Sequence, residues 1–333
     1  MNNQIIVEKK RLKGGSLSGT YYCLDKAGRR FIRKEVSLVE HREYGFQRWY
    51  SQLKKLQRFD VQFSGLFPQV LGFGQDDDKA YFDMEFIEGA MTAHEFLMSS
   101  PPESEIHSMF NALISAMDRI HKVKFNSSSS ALDLYIHEEM ERRIFDCMGN
   151  DKFKTLIDKK LVTINGEEVM GIFHVLNNFQ KTMNHAAIEL TECFTHGNIT
   201  LENILYDPIR RRITFIDPYE ENIVDNRLAE YSQILQSSNS HYELYNLSEP
   251  IISRSIVEAN IIIPRSIAYF NKLFFEYIRS NCTEREITLI KLFEVSQYVR
   301  MLPFKMQLDE RKMILFYSLA SLLYARLDRC DES

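Results

Sequence analysis

The stretch that decides the fold is FTHGNITLENILYDPIRRRITFIDPY, which runs from Phe194 to Tyr219. It contains two short apolar runs, Ile204 to Tyr206 and Ile213 to Ile216, on either side of an Asp-Pro turn with three arginines. Short apolar runs around such a turn predict a β-hairpin. The hairpin places Asn203 just before its first strand and Asp217 at the end of its second strand, so two oxygen ligands meet at one edge of a small sheet. Such oxygens suit a hard cation like Mg²⁺, which proteins hold with one or two side chains plus phosphates and water.

The same stretch resembles the catalytic loop of kinases. The protein-kinase pattern is H-R-D-x-x-x-x-N followed by D-F-G; here His196-Gly197-Asn198 is followed after four residues by Asn203, and then by I-D-P. The glycine and the I-D-P sequence are similar to the aminoglycoside phosphotransferase and choline kinase-like family, whose motif is H-G-D-x-x-x-x-N. The resemblance implies that Asn203 and Asp217 hold metal ions and that position 198 is the catalytic-base position. The alternative is an ordinary hairpin with polar ends.

Asn198 is the one departure from that motif, because the family has Asp at this position. An amide is neutral near pH 7 and cannot serve as a general base, although its oxygen can still hold a hydroxyl in line. Two histories fit: Asn198 was introduced into an otherwise active enzyme, or the natural protein is an attenuated kinase. In both cases we expect an impaired enzyme.

Composition places the chain among ordinary globular proteins. Its 333 residues are 44% hydrophobic and 26% charged, and this length is sufficient for two lobes with a sizeable core. A net charge of −5 argues against a nucleic-acid partner. Five scattered cysteines without a CxxC pair predict reduced thiols and a cytoplasmic location. The start of the sequence has no apolar region of the signal-peptide type, and the serine-interrupted segment Met313 to Ala325 predicts a core helix rather than a membrane span.

The N-terminal region carries a glycine-rich turn and a lysine strand. The turn Lys13 to Thr20, with Gly15 and Gly19, lies between two predicted strands and is not a Walker A loop. By the kinase resemblance it would fold over ATP phosphates; a plain flexible hairpin is the alternative. In the predicted strand Phe31 to Val36, Ile32 and Lys34 share one face. The resemblance implies that Lys34 pairs with the α- and β-phosphates and that Ile32 lies against adenine, whereas a solvated lysine on an edge is the alternative.

A helix is predicted from Val39 to Leu56. Its apolar stripe at helical spacing consists of Phe46, Tyr50, Leu53 and Leu56. Glu43 falls on the same inward face, and a buried carboxylate needs a cationic partner. We expect that partner to be Lys34, as in the kinase Lys–Glu pair, with Glu40 as the second choice for the carboxylate. A carboxylate at the rim of the helix is the alternative.

Two strands, Leu66 to Phe73 and Lys79 to Phe86, lead into a segment similar to the one that joins the two lobes of kinase-like folds. The likeness lies in Met84-Glu85-Phe86-Ile87-Glu88-Gly89. It implies that Met84 lines the back of the adenine pocket, and that the Glu85 carbonyl and the Ile87 amide bind the adenine edge. It also predicts a nucleotide-binding lobe at residues 1–88 and a helical lobe at residues 89–333 that carries the catalytic hairpin (194–219).

The remainder is predicted to be mostly helical: Pro101 to His121, His137 to Lys160, Glu168 to Leu190, Asn226 to Leu235, and several helices from Ser266 to Arg329. The predicted fold class is therefore α+β, a two-lobed protein kinase-like fold with a small antiparallel sheet and one helix in the first lobe and a larger, mainly helical second lobe.

Two features bear on the substrate. The next predicted helix starts by Asn226, soon after Asp217, and the sequence has no A-P-E, so an activation segment of the protein-kinase type has no room. Residues 228–243 and 301–316 resemble segments of phosphotransferases encoded with bacterial surface-carbohydrate genes. In that family an Asp precedes L-A; here that position is Arg227, and the nearby Asp225 is the expected substitute for bracing the catalytic loop.

These observations predict an ATP- and Mg²⁺-dependent phosphotransferase that moves the γ-phosphoryl group to a hydroxyl of a small molecule such as a sugar or sugar-like alcohol. The alternative is a nucleotide-binding pseudokinase that acts as a regulatory or binding module. A protein kinase is disfavoured.

Overall fold

The structure, a computed structural model, describes residues 6–12, 18–39, 42–125, 131–186, 190–219 and 222–327. For residues 42–44, 48, 173 and 177 it describes the backbone alone. Gly15, Glu40 and the side chain of Glu43 therefore lie outside the described residues, so their predicted roles stay predictions.

The strands, in chain order, are β1 (Ile6–Arg11), β2 (Ser18–Asp25), β3 (Arg30–Ser37), β4 (Val70–Gln75), β5 (Lys79–Glu85), β6 (Met91–Thr92), β7 (Lys124–Phe125), β8 (Leu161–Ile164), β9 (Glu167–Met170), β10 (Glu192–Cys193), β11 (Ile204–Asp207), β12 (Arg212–Phe215), β13 (Ile251–Ser253) and β14 (Ile256–Glu258).

The helices are α1 (Arg42–Gln62), α2 (Ala93–Met98), α3 (Glu103–His121), α4 (Ala131–Ile136), α5 (Arg142–Cys147), α6 (Asp151–Ile157), α7 (Ile172–Ala186), α8 (Arg227–Ser238), α9 (Tyr242–Leu247), α10 (Arg265–Asn281), α11 (Glu284–Arg300), α12 (Leu302–Leu308) and α13 (Glu310–Ala325). A π-helical turn, His137–Glu141, joins α4 to α5. Among the described residues, none of the helices combines the length and apolar character that crossing a membrane requires.

The chain divides into two compact units. The first consists of Met1–Phe96, Asn111–Ile120 and His196–Asn222, and the second of Leu97–Phe110, His121–Thr195 and Ile223–Ser333. The hairpin of β11 and β12 thus belongs to the same unit as the N-terminal strands. A functional division at residue 88 stays a prediction.

The first unit contains a five-stranded antiparallel sheet with the strand order β1-β2-β3-β5-β4. Alternation along β3 places Lys34 on one face and Arg33 on the other. Arg33 lies directly opposite Asp83 of β5 and forms a buried ion pair with it, with the Arg33 Nε to Asp83 Oδ1 distance at 2.6 Å. The predicted strand and the orientation of its two basic residues are therefore confirmed.

Helix α1 packs against β3, β4 and β5 of this sheet. Leu53 and Leu56 are almost completely buried, as the apolar stripe predicts, and so is Phe59, which the stripe did not include. The stripe was wrong at one position, because Tyr50 is 46% exposed while Trp49 is buried. The helix begins at Arg42 and continues beyond the predicted end to Gln62, since Phe59 adds a further buried turn.

The predicted hairpin is confirmed as β11 and β12, with Ile204 opposite Phe215. A third, unpredicted strand, β6, pairs with the outer side of β11. Phe215 and Tyr206 are fully buried, so this small sheet has a packed apolar face that fixes its register.

The second unit is mainly helical. Helix α11 packs on α8 and α13, and α12 packs on α13. Leu292 and Phe293 of α11 and Leu315 and Phe316 of α13 are fully buried. The interpretation of Met313 to Ala325 as a core helix is therefore confirmed.

One predicted helix was partly wrong. The stretch from Glu168 begins as strand β9, which forms an antiparallel hairpin with β8, and α7 starts only at Ile172. The turn is Asn165-Gly166, and both residues have positive φ, 49° and 82°. Asn-Gly favours this kind of two-residue turn, because both of its residues adopt the left-handed conformation more readily than other residues do. Strands β8 and β9 continue through β14 and β13 into a four-stranded sheet.

Candidate active site

The catalytic hairpin brings Asn203 and Asp217 to one end of the small sheet. Beyond the last ladder pair, the Ile216 amide donates to the Asn203 carbonyl at 2.9 Å. Asn203 ends the 3₁₀ turn Leu201–Asn203 that precedes β11, and Asp217 comes directly after Ile216. The predicted juxtaposition of the two oxygen-bearing residues follows from this register.

His196 anchors the start of the catalytic loop inside the first unit. Its side chain is fully buried, and its ring stacks against Phe67 with centroids 6.1 Å apart. Its Nδ1 accepts a hydrogen bond from the Asn198 backbone amide at 3.2 Å, so the ring proton is on Nε2. The Nε2–H group donates a hydrogen bond to the Ile216 carbonyl at 2.8 Å. A neutral histidine thus ties the loop to the end of β12.

Both the backbone conformation of residue 197 and the crowding around it require glycine at this position. Its φ is +85°, which side chains on L-residues rarely allow. A Cβ at this position would lie 2.6 Å from the Tyr219 carbonyl oxygen and would collide with the Asn222 side chain. The close approach of Tyr219 and Asn222 to the loop therefore explains the glycine of the H-G-N motif.

Asn198 and Asn203 are linked through one hydrogen bond. The Asn203 side-chain Nδ2 donates to the Asn198 carbonyl at 2.8 Å, and both residues are half-buried. Because the side-chain nitrogen of Asn203 makes this bond, its side-chain oxygen is the atom that can bind a ligand. The bond fixes the metal-ligand candidate relative to the catalytic-base position.

Asp217 is contacted by two donors from other elements of the first unit. The Lys34 ammonium of β3 forms an ion pair with Asp217 Oδ1, and the Gln52 side-chain amide of α1 donates to the same oxygen. Lys34 is 11% exposed and Asp217 is 32% exposed. The lysine and the aspartate, which the sequence proposed for phosphate and metal binding, are thus brought together. The predicted pairing of Lys34 with Glu43 lies outside the described residues.

The candidate adenine-binding residues lie on neighbouring strands. Ile32 of β3 is directly opposite Met84 of β5, and Met84 is buried. Glu85 ends β5, where its amide donates to the Gln69 carbonyl at 2.9 Å. Ile87 is half-buried, two residues beyond the strand. Gly19 lies in β2 opposite Glu35, next to the strand that carries Lys34. Their roles in ATP binding stay predictions.

Asp225 contacts the residue that precedes the catalytic loop. Its carboxylate accepts a hydrogen bond from the Thr195 hydroxyl, and its carbonyl accepts one from the Cys193 amide at 2.9 Å. Arg227, at the position where the family has Asp, instead forms an ion pair with Glu286 at 2.6 Å. Asp225 thus contacts residues just before the loop, and its bracing of the loop itself stays a prediction.

Sequence reasoning missed two residues of α1. Besides its bond to Asp217, Gln52 Nε2 donates to the Pro218 carbonyl at 3.1 Å, and the buried Lys55 ammonium donates to the Tyr219 carbonyl. Both side chains lie one turn apart on the helix, so they share a face. No motif pointed to them, because they contact mainly backbone groups more than 160 positions away.

The donor set fits a hard cation. A carboxylate from Asp217 and an amide oxygen from Asn203 are the types of ligand that Mg²⁺ takes, with phosphate oxygens and water completing the coordination. Within the described ranges, no group of three or more His, Cys, Asp or Glu side chains could hold a metal by itself.

Known proteins resemble this chain in structure. No protein-family model matches the sequence, and no curated protein matches it. A crystal structure of a protein proposed to be a fructosamine-3-kinase from Haemophilus somnus 129PT superposes with a TM-score of 0.59 at 11% identity, covering 96% of this chain and 92% of that one. A second such protein, from Thermobifida fusca YX-ER1, gives a TM-score of 0.56 at 11% identity and covers 98% and 96%. An aminoglycoside-3'-phosphotransferase of type VIII gives 0.47 at 17% identity, with 86% and 93% covered.

The first two likenesses extend over nearly the whole length of both chains and establish the fold. The chain has the fold of these two proteins, with a small antiparallel sheet and a larger helical region. The fold that the motif order predicted is confirmed.

Proposed function

We propose that this chain is an ATP- and Mg²⁺-dependent phosphotransferase that moves the γ-phosphoryl group to a hydroxyl of a small molecule. The observation that carries the proposal is the ion pair between Lys34 and Asp217, next to Asn203 at the end of the catalytic hairpin. A cation suited to phosphates and oxygens suited to a metal lie side by side in the first unit. A kinase-like fold with these residues at the motif positions supports phosphoryl transfer.

Each residue has a role that its chemistry allows. Lys34 would pair with the α- and β-phosphates, and Asp217 and Asn203 would hold Mg²⁺, which when bound neutralises charge on the phosphates. Ile32 and Met84 would line the adenine pocket, with the Glu85 carbonyl and the Ile87 amide at the base edge. Phosphoryl transfer depends chiefly on positioning and electrostatics, so these residues supply most of what the reaction needs.

Asn198 would hold the acceptor hydroxyl without removing its proton. Its amide oxygen can accept a hydrogen bond from the hydroxyl, but it cannot take up the proton near pH 7. A general base typically contributes ~10²–10⁴-fold to a rate. We therefore propose a weakened enzyme with residual transfer.

The acceptor we propose is a sugar or sugar-like alcohol. Two of the structures that this chain resembles are proposed to be fructosamine-3-kinases, and residues 228–243 and 301–316 resemble phosphotransferases encoded with bacterial surface-carbohydrate genes. The four described cysteines, Cys23, Cys147, Cys193 and Cys282, are free thiols, which supports a reducing, cytoplasmic setting.

A second candidate is a nucleotide-binding module without turnover. Asn198 is the specific observation that favours it, because the catalytic-base position lacks a carboxylate. ATP turnover that rises when a small alcohol is added would distinguish the enzyme from this module.

The test has two steps. Calorimetry should first show that ATP binds more tightly in Mg²⁺ than in EDTA, and equal affinities would contradict the proposal. ATP turnover is then measured against a panel of sugars and alcohols. Stimulation by one of them supports the phosphotransferase, whereas ATP binding without stimulation by any acceptor favours the binding module.

A further inference from the structure

Asp217 has a backbone conformation that its surroundings must hold in place. Its φ is +58°, in the left-handed region, which for a non-glycine residue is uncommon and costs energy. Residues in such conformations cluster at functional sites and persist when the surrounding structure fixes them. The bonds around Asp217 therefore indicate what sets its geometry.

The backbone on both sides of Asp217 is held by hydrogen bonds. Before it, the Ile216 amide donates to the Asn203 carbonyl at 2.9 Å; after it, the Tyr219 amide donates to the His196 carbonyl at 2.9 Å. Helix α1 adds two further bonds, from Gln52 to the Pro218 carbonyl at 3.1 Å and from Lys55 to the Tyr219 carbonyl. The helix thus contacts three consecutive residues, Asp217 to Tyr219.

Gln52 differs from the other donors because it also contacts the Asp217 carboxylate. Its Nε2 donates to Oδ1, the same oxygen that receives the Lys34 ammonium. Lys34 is also the group expected to pair with nucleotide phosphates. The phosphates of bound ATP would therefore compete with Asp217 for this lysine. An amide donor orients the carboxylate while adding no charge, so the full negative charge is kept for a cation.

The position of Gln52 is set by a well-packed part of α1. Leu53, Leu56 and Phe59 are almost completely buried on the side of the helix that packs against the sheet. Phe59 also packs against Phe67, with ring centroids 4.6 Å apart, and Phe67 stacks on His196. The residues that place α1 are therefore in contact with those that place the catalytic loop.

We propose that Gln52 is a positioning residue, which orients the Asp217 carboxylate and the following peptide so that Asp217 can bind the Mg²⁺ that accompanies ATP. The inference rests on the proposed function and deepens it, because it assigns the metal-binding geometry to helix α1 as well as to the hairpin. Partners that orient a metal ligand typically change metal affinity about 10- to 100-fold when they are removed.

The test measures ATP binding by calorimetry over a Mg²⁺ titration and, separately, in EDTA. Gln52→Met keeps the length of the side chain and loses the donor, and Gln52→Ala loses the donor without any risk of a clash. Both variants should raise the Mg²⁺ concentration at half-maximal effect about 10-fold or more. ATP affinity in EDTA should change little, because Gln52 would not contact the nucleotide. Gln47→Met is the matched control, since Gln47 is exposed on the same helix.

Two results would overturn the inference. One is a Mg²⁺ titration unchanged from that of the unaltered protein in both Gln52 variants. The other is an equal loss of ATP affinity with and without Mg²⁺, because that would indicate a general structural role. Absence of Mg²⁺-dependent ATP binding in the unaltered protein is a separate outcome, which would sink the proposed function and this inference together.

Discussion

Asn203 donates its side-chain amide to the backbone carbonyl of Asn198 at 2.8 Å. The bond joins the proposed metal ligand to the residue at the catalytic-base position, and it uses the backbone of Asn198 rather than its side chain. A change confined to the side chain of residue 198 therefore leaves this connection intact. Position 198 can be altered to test catalysis separately from metal binding.

Asn198→Asp should raise phosphoryl transfer by ~10²–10⁴-fold, because a carboxylate can accept the proton of the attacking hydroxyl. ATP affinity should change little, since the Asn203 bond to the residue-198 carbonyl is preserved. The measurement compares kcat and KM of both variants on one acceptor. An unchanged rate despite normal acceptor binding would mean that residue 198 is not at the catalytic-base position.

Asp217→Ala should abolish the difference between ATP affinity in Mg²⁺ and in EDTA. The substitution removes the carboxylate at the I-D-P position and also removes the ion-pair partner of Lys34. Calorimetry under both conditions measures the effect, and Asp77→Ala, an exposed carboxylate between β4 and β5, is the control. A Mg²⁺ dependence that survives in Asp217→Ala would rule out this residue as the metal ligand.

The hairpin could be predicted because its information is local. Turn residues and two apolar runs define its strands, and the strands in turn place Asn203 and Asp217. The contact between Lys34 and Asp217 joins residues 183 positions apart. The resemblance to kinases assigned phosphate binding to one residue and metal binding to the other, but it did not predict their contact. Gln52 could not be predicted in either way. It belongs to no motif, and its position depends on how α1 packs against the sheet.

The β8–β9 hairpin was missed although the sequence contains its turn. Ile172, Val175 and Phe179 have helical spacing, and a helix predicted from this pattern alone extends back to Glu168. Asn165-Gly166 marks a tight hairpin turn, and the β-branched Val162 and Ile164 before it are buried. A helical pattern does not define where the helix begins, so the Asn-Gly turn is the better indicator of structure in this segment.

Gly197→Ala should destabilise the protein more than Gly28→Ala does. Both glycines have positive φ, +85° and +78°, but a Cβ at Gly28 would meet nothing within 4 Å, whereas a Cβ at Gly197 would collide with Tyr219 and Asn222. The conformational cost common to both is about 1–2 kcal/mol, and the crowding adds ~1–3 kcal/mol at Gly197. Urea unfolding of the two variants measures the difference. Equal losses of stability would contradict the close approach of Tyr219 and Asn222 to Gly197.

Small alcohols rather than proteins should accept the phosphoryl group. Helix α8 begins at Arg227, and the Asn226 side chain caps it by accepting the Leu228 amide at 2.8 Å. The interval after Asp217 therefore leaves no room for the extended segment on which protein kinases bind a peptide. Radiolabel transfer from ATP to sugars and to a casein-like substrate compares the two classes, preferably with Asn198→Asp. Efficient labelling of the protein substrate with none on any sugar would reverse this assignment.

Glu294 should make the stability of the protein fall as pH rises through the range from about 4.5 to about 7. The side chain is buried in α11, and loss of hydration raises the pKa of its carboxyl to about 7. Asn239 Nδ2 donates to it at 3.0 Å, and Ser240 and Lys291 also favour the charged form without cancelling the effect of burial.

The direction of the effect follows from which state holds the proton. In the unfolded chain the carboxyl loses its proton near pH 4.5, whereas in the folded protein it keeps the proton up to about pH 7. Folding therefore takes up a proton between these values, so this contribution to stability is present below pH 4.5 and is lost by pH 7. A shift of this size corresponds to about 3 kcal/mol.

Glu294→Gln removes the titrating group and should flatten the pH profile of the unfolding free energy, raising stability at pH 8 relative to the unaltered protein. Glu276→Gln, at a half-exposed carboxylate of α10, is the control and should leave the profile unchanged. An identical pH profile in Glu294→Gln and the unaltered protein would show that Glu294 is not protonated in the folded state.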